Sequence, residues 1–347
     1  MGLASGTVVQ VAGGGIFGLA CAWELTRRGI PVRVAEARTV GAGASGGHVG
    51  ALSPHAPDNW TPKKELQLQS LLAAPGFWAG VEDASGLPTG FGRTGRVQPV
   101  TDMAQIPQLR ARIAASAERW PAAARMALTQ DPDGMAVASP TGWWLTDGMA
   151  ARLNPRAALA ALAGAIRARG GTVAEGAPAD PGTAPTLWAT GTEGLEALND
   201  ALGRRIGQGV KGQSLLLALD RGDAPQVFAD GIYVVPHADG TVAVGSTSER
   251  DFADPRSTDA RLDAVIEAAR AACPALRDAP VVERWVGLRP RARSRAPMLG
   301  EWPGRPGHFI ANGGFKIGFG MAPKIAQIIA DLMLDGRDSV PPMFRLT

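Results

Sequence analysis

Cysteine is nearly absent from this chain of 347 residues: there are two, Cys21 and Cys273. Both fall in stretches that read as helices and fit neither a disulfide framework nor a zinc spacing, which points to a reducing compartment. Also missing is any run of about 18 apolar residues that would cross a membrane. The opening residues carry no basic region ahead of an apolar core, and the short apolar run Thr7 to Ala12 is no signal peptide, so a cytoplasmic location is expected. Charge of one sign is lacking too. Charged residues make up 19% of the chain and the formal net charge is +3, a weak basis for binding nucleic acid. Aromatic residues amount to 5%, with a single tyrosine, Tyr233. No internal repeat and no Ser, His, Asp triad is evident.

What the chain has in quantity is apolar residue (45%), 45 glycines and 27 prolines, the profile of a loop-rich globular α/β protein. Its length suits two domains, since single cores stop growing near ~250–300 residues. The opening reads as strand (Thr7 to Val11), glycine turn, helix (Ile16 to Arg28) and strand (Pro31 to Ala35), a βαβ unit. Helical composition returns at about Lys63 to Glu82, Ile106 to Leu128 and Arg156 to Arg169, and Leu187 to Thr190 reads as a short buried strand. From Ser214 the pattern turns to alternating strands, Leu215 to Leu219, Gly231 to Pro236, Thr241 to Gly245 and Val281 to Leu288, with one helix near Thr258 to Ala272 among them. Strand, glycine turn and helix come back at His308 to Ala311 and Met321 to Leu334.

Gly13-Gly14-Gly15-Ile16-Phe17-Gly18 fits G-x-G-x-x-G and falls between a strand and a helix, where helix amides can face a pyrophosphate. Gly13 would permit the tight turn, Gly15 the approach to the phosphates, and Gly18 the packing of helix on sheet. Glu36, followed by Ala37 and Arg38, ends the second strand about twenty residues on, where a carboxylate accepts from ribose hydroxyls and repels a 2′-phosphate.

Beyond this fingerprint the chain resembles the D-amino acid oxidase and glycine oxidase family of FAD-dependent oxidoreductases. The run Gly43-Ala44-Ser45-Gly46-Gly47-His48-Val49-Gly50-Ala51-Leu52-Ser53-Pro54 is similar to the family's second glycine segment, which passes close to the flavin. Further markers keep the family's order: Leu187-Trp188-Ala189-Thr190-Gly191, Tyr233-Val234-Val235-Pro236, Gly287-Leu288-Arg289-Pro290, and Gly313-Gly314-Phe315-Lys316-Ile317-Gly318. Glycines 313, 314, 318 and 320 would let backbone amides approach the pyrimidine edge of the flavin.

The resemblance implies a Rossmann-like FAD-binding domain of residues 1–80, 146–205 and 298–347. Residues 81–145 and 206–297 would then form an inserted antiparallel β-sheet substrate domain. It implies cofactor contacts at Gly13, Gly15, Ile16, Phe17, Gly18, Glu36, Ala37, Arg38, Ala44, Ser45, Gly46, His48, Ala189, Gly191, Gly313, Gly314, Phe315, Lys316 and Ile317. It puts Arg289 where the family binds the substrate carboxylate, a role that a guanidinium fork fills in bidentate geometry; the alternative is an ion pair with Glu283 or Glu301. Tyr233 stands where a tyrosine hydroxyl helps hold that carboxylate, or else is a core tyrosine. Lys316 is a second basic residue near the substrate, or a surface lysine. His48 is a polar neighbour of a noncovalent flavin, or its attachment point. The run Arg291-Ala292-Arg293-Ser294-Arg295 departs from the family pattern and adds three positive charges, which suits a more acidic substrate or one bearing phosphate.

The expected activity is oxidation of the C–N bond of an amino acid or related amine, with a small carboxylated amine as partner molecule. The Gly43 to Pro54 run also resembles a tRNA wobble-uridine carboxymethylaminomethyl oxidase, and a flavin subunit of an electron-transfer complex is a further alternative. Oligomeric state is not legible.

Overall fold

The computed structural model describes residues 6–180 and 182–346; residues 1–5, 181 and 347, which the expected FAD-domain segments take in, lie outside the described residues. The chain opens with β1 (Val9–Ala12), α1 (Ile16–Arg27), β2 (Val32–Glu36), the short β3 (Ala51–Leu52) and the long α2 (Pro62–Ser85). There follow β4 (Arg96–Pro99), α3 (Ile106–Arg119), β5 (Met126–Thr129), β6 (Trp144–Asp147), β7 (Ala151–Arg152) and α4 (Pro155–Ala168). The middle of the chain forms β8 (Thr172–Glu175), β9 (Thr186–Trp188), α5 (Gly191–Leu202), β10 (Gly207–Ala218), β11 (Gln226–Ala229), β12 (Ile232–Pro236) and β13 (Thr241–Gly245). It closes with α6 (Ala260–Ala272), β14 (Val281–Ala292), β15 (Met298–Glu301), β16 (His308–Asn312) and α7 (Gly318–Asp335).

Two sheets organise these elements. The first has the order β15-β16-β9-β1-β2-β8. Its pairs are parallel except β15 with β16, and Val9 and Val11 stand opposite Val32 and Val34. Strands of such a sheet are covered on both faces, and so read as apolar runs. Helix α1 is buried from Ile16 to Thr26 because nearly every side chain on it is apolar or small; it packs against α7 and α4, and α2 packs against α7. The second sheet, β14-β10-β13-β12-β11-β4-β6-β5, is antiparallel apart from the β11–β4 pair. It takes strands from both sides of α4 in the sequence, and the expected boundaries at residues 80 and 146 fall inside α2 and β6.

Four differences from the sequence reading have physical causes. The helix expected over Ile106 to Leu128 stops at Arg119, because Trp120 precedes Pro121 and is held extended at φ −102°, ψ 150°; Leu128 then pairs with Leu145 in the sheet. The strand expected to end at Leu288 runs on to Ala292 through Pro290, which is tolerated because β14 is an edge strand. The strand expected from Leu215 begins at Gly207, its glycines having hidden the alternation. Helix α7 begins at Gly318, so Gly318 and Gly320 lie inside its first turn rather than before it.

Candidate active site

The β1–α1 turn is built by glycines with different jobs. Gly13 has φ +109°, and a Cβ there would stand 2.4 Å from the Ala189 carbonyl oxygen. A Cβ on Gly18 would stand 2.0 Å from the Gly13 carbonyl oxygen, so the helix can lie this close to the loop only without a side chain. Gly15 is the N-cap of α1 in ordinary extended backbone, φ −86° and ψ 179°. What it supplies is space beside Ser45, whose Oγ a Cβ would approach to 3.2 Å. Ser45 sits in the tight turn Ala44–Gly46, and its hydroxyl accepts the Ile16 N–H at 3.0 Å. The amide end of α1, with its positive dipole, therefore points at this loop, where an anionic group is stabilised. At the end of β2, Glu36 accepts the Gly14 N–H through Oε2 at 2.7 Å and the Arg38 N–H through Oε1 at 3.0 Å. Arg38 in turn reaches Glu193 at 3.2 Å.

From this turn a cleft of about 1050 Å³ extends to β12, β14 and the start of α7, above the few hundred Å³ that most small ligands need. Of the residues expected at the cofactor, Gly13, Gly15, Ile16, Phe17, Glu36, Ala37, Arg38, Ala44, Ser45, His48, Ala189, Gly191, Gly314, Phe315, Lys316 and Ile317 line it. Gly18, Gly46 and Gly313 do not line the cleft but allow its walls to form: a Cβ on Gly46 would stand 2.2 Å from the Gly41 carbonyl oxygen, and Gly313 has φ +74°. A cleft of this size with a helix amide end, a carboxylate at the end of β2 and glycine approaches at both ends fits FAD.

Arg289, Tyr233 and Lys316 line the same cleft at its other end. Arg289 is 9% exposed and its Nη1 donates to the Thr247 carbonyl at 3.0 Å. Burial brings its pKa down to about 10, with Glu249 pulling the other way. The expected alternative, an ion pair with Glu283 or Glu301, does not form: Glu283 pairs with Arg156 at 2.8 Å, and Glu301 is exposed on the edge strand β15. Arg289 lies in a trough over Gly212 of β10, where a Cβ would stand 1.6 Å from its Nη1. Behind it, Thr247 donates its hydroxyl to Glu249 at 2.6 Å, and Gln213 donates to both Glu249 and Asp259 at 2.9 Å. Gly212, Thr247 and Glu249 escaped the sequence reading; a glycine inside a strand signals close approach by another group. Tyr233 is half-buried and packs on Phe228 with ring centroids 4.6 Å apart. Lys316 opens into the cleft, its Nζ 5.7 Å from the Phe315 ring centroid; partial desolvation of the ammonium by the cleft walls and the Arg289 charge both lower its pKa.

His48 is buried with both ring nitrogens engaged. Nδ1 is 3.3 Å from Ser214 Oγ, and Nε2 is 3.5 Å from both Glu283 and Arg156. Burial lowers its pKa, which keeps the ring neutral. Arg156, from the first turn of α4, also donates to the Gly46 carbonyl at 2.8 Å and so ties this loop down. Cys21 and Cys273 are buried thiols remote from this chemistry, and burial pushes the Cys273 pKa up to about 12.

The chain is 26% identical to a glycine oxidase of Geobacillus kaustophilus, over 94% of this chain and 92% of that protein. It is 28% identical to a bifunctional protein ThiO/ThiG of a Nostoc species, over 94% of this chain but only about half (52%) of that longer protein. The crystal structure of the Geobacillus kaustophilus glycine oxidase superposes with a TM-score of 0.84 at 23% identity, covering 98% of each chain, which shows that the fold is shared. The sequence profile of the FAD dependent oxidoreductases matches residues 9–332. With nearly the whole chain spanned by that profile and a cleft whose residues fit the cofactor, this protein belongs to the FAD dependent oxidoreductase family.

Proposed function

We propose that this oxidoreductase breaks the C–N bond of a small carboxylated amine or amino acid. The observation that carries the reading is Arg289, a buried guanidinium without an ion-pair partner among the described residues, opening on the cleft that holds the glycine turn. A buried charge of this kind is costly unless a ligand neutralises it, and the guanidinium fork matches a carboxylate. The glycine oxidases among its relatives favour this chemistry over tRNA modification or electron transfer alone.

Gly13, Gly15, Glu36 and Ser45 would hold the dinucleotide part of FAD, and the 313–317 loop with the amide end of α7 would face the flavin. When bound, FAD supplies a two-electron acceptor for a hydride leaving the substrate α-carbon, with oxygen or another acceptor taking the electrons afterwards. Arg289, with Tyr233 on the same cleft, fixes the carboxylate so that the α-hydrogen is presented in one orientation. The substrate, oxidised to an imine, hydrolyses to a carbonyl compound and free amine. No side chain need act as nucleophile. His48, with both nitrogens engaged, is a polar neighbour of a noncovalent flavin. We assign the β1-containing sheet and its helices to the FAD domain and the eight-stranded sheet to the substrate domain, with boundaries at the end of α2 and after β6.

The test is the absorbance spectrum of the flavin-replete protein before and after anaerobic addition of an amino-acid and amine panel. Bleaching of the flavin bands by a carboxylated amine is expected; a spectrum unmoved by the whole panel would reject the reading.

A further inference from the structure

The cleft is electrically lopsided. Its acidic lining residues, Glu36, Glu193 and Glu196, all sit at the β2 and α5 end, where Glu36 is engaged with Gly14 and Arg38, and Glu193 with Arg38. Arg256, Arg289 and Lys316 also line the cleft, and no carboxylate pairs with any of them among the described residues. Asp254, the acid nearest Arg256 in sequence, accepts the Arg256 backbone N–H at 2.7 Å. One amino-acid carboxylate neutralises Arg289 and leaves Lys316 and Arg256 uncompensated. Just outside the lining, Arg291 lies 5.7 Å from the ring centroid of Phe315, which does line the cleft. Cations that line one cleft without acids to pair them favour an anion there.

We propose that the substrate carries a second carboxylate, held by Lys316 and Arg256 while Arg289 takes the carboxylate beside the amine. A dicarboxylic amine supplies two negative groups to a cleft with three unpaired cations, and its charge draws it in before it docks. This inference rests on the C–N oxidation reading, and it makes the preferred substrate class acidic rather than the simplest amino acid.

Binding and turnover test the two separately. Calorimetric titration of the holoenzyme compares succinate with butyrate, which share a carbon skeleton, differ in one carboxylate and cannot be oxidised as amines. Anaerobic flavin reduction compares aspartate with alanine, both enantiomers, and iminodiacetate with sarcosine. A charge-assisted contact predicts a Kd for succinate lower by about tenfold or more. That advantage should shrink in Lys316→Gln and in Arg256→Gln, and fall as salt is raised. Equal Kd values in the wild type, or an advantage that survives in both variants, would overturn the inference. Reduction by monocarboxylic amines with no gain for their dicarboxylic partners would overturn it as well, while leaving C–N oxidation standing. Tight succinate binding with no amine reducing the flavin would support the anion site and reject the oxidation.

Discussion

At Arg289 a single side chain depends on a neighbour that has none. If Arg289 holds the substrate carboxylate as proposed, Arg289→Ala would remove a bidentate contact worth on the order of 2–4 kcal/mol, so kcat/KM for carboxylated substrates should fall roughly thirty-fold to a thousand-fold with FAD still bound. Arg289→Lys should recover only part of this, since an ammonium keeps the charge and loses the fork. Gly212→Ala should have a similar kinetic effect without touching the charge, because its Cβ would stand 1.6 Å from the Arg289 Nη1 and push the guanidinium away. If Gly212→Ala kept wild-type kinetics, the trough would have no role. The arginine was legible through Gly287-Leu288-Arg289-Pro290, but its trough was not: Gly212 is 77 residues upstream on β10, and only the pairing of β10 with β14 brings the two together. The glycine fingerprint was legible down to its tight turn at Gly13, whose φ of +109° is the one only glycine adopts readily, while Gly15 is extended. Gly13→Val should therefore abolish FAD retention, whereas Gly15→Ala, at a φ open to any residue, should weaken it less. Acid precipitation of the wild type should release the flavin to the supernatant; flavin left in the pellet, and lost in His48→Ala, would contradict the noncovalent reading.

Among the elements, α4 links helix start to cofactor loop. Asn154 caps it, its Oδ1 accepting from the Arg156 and Ala157 N–H groups at 3.1 and 3.2 Å, and the turn so fixed carries the Arg156 that holds the Gly46 carbonyl. Asn154→Ala should cost about 1 kcal/mol of stability and also weaken FAD affinity, because the loop at Ala44 to His48 loses its tether. A lower melting temperature with unchanged FAD affinity would separate the two effects. This helix was readable from Asn154-Pro155 and the Gly170-Gly171 stop. Helix α5 was not, since Gly191 and Gly194 obscure its start, and the strands β4, β5 and β6 were not, being four residues each in turn-rich sequence. Alternation over four residues is too short a signal, and those strands exist because the neighbouring ones pair with them.

Over the whole molecule, buried imidazoles work against the fold as the pH drops. His237 is 2% exposed, its Nε2 has no hydrogen-bond partner, and burial lowers its pKa from 6.5 to about 4; His55 is likewise lowered to about 4. An unfolded chain takes up these protons near pH 6.5 and the folded one only near 4, so stability falls as pH drops through that window. For His237 alone the fall is on the order of 2–4 kcal/mol. Urea midpoints at pH 7 and 4.5 should diverge in the wild type and converge partly in His237→Gln; an unchanged slope would assign the effect elsewhere. The six-stranded sheet has a different consequence, one of timing. Strand β1 is made about 175 residues ahead of its partner β9, and β16 comes later still. On the ribosome, β1 must wait with an apolar edge unpaired while β4, β5 and β6 are made, and β9 waits in turn for β16 until β10 to β14 have been made, long-range pairings of the kind that slow folding and expose a chain to aggregation. Cofactor capture, which needs both the β1 turn and the 313–317 loop, should therefore come late in the making of the chain.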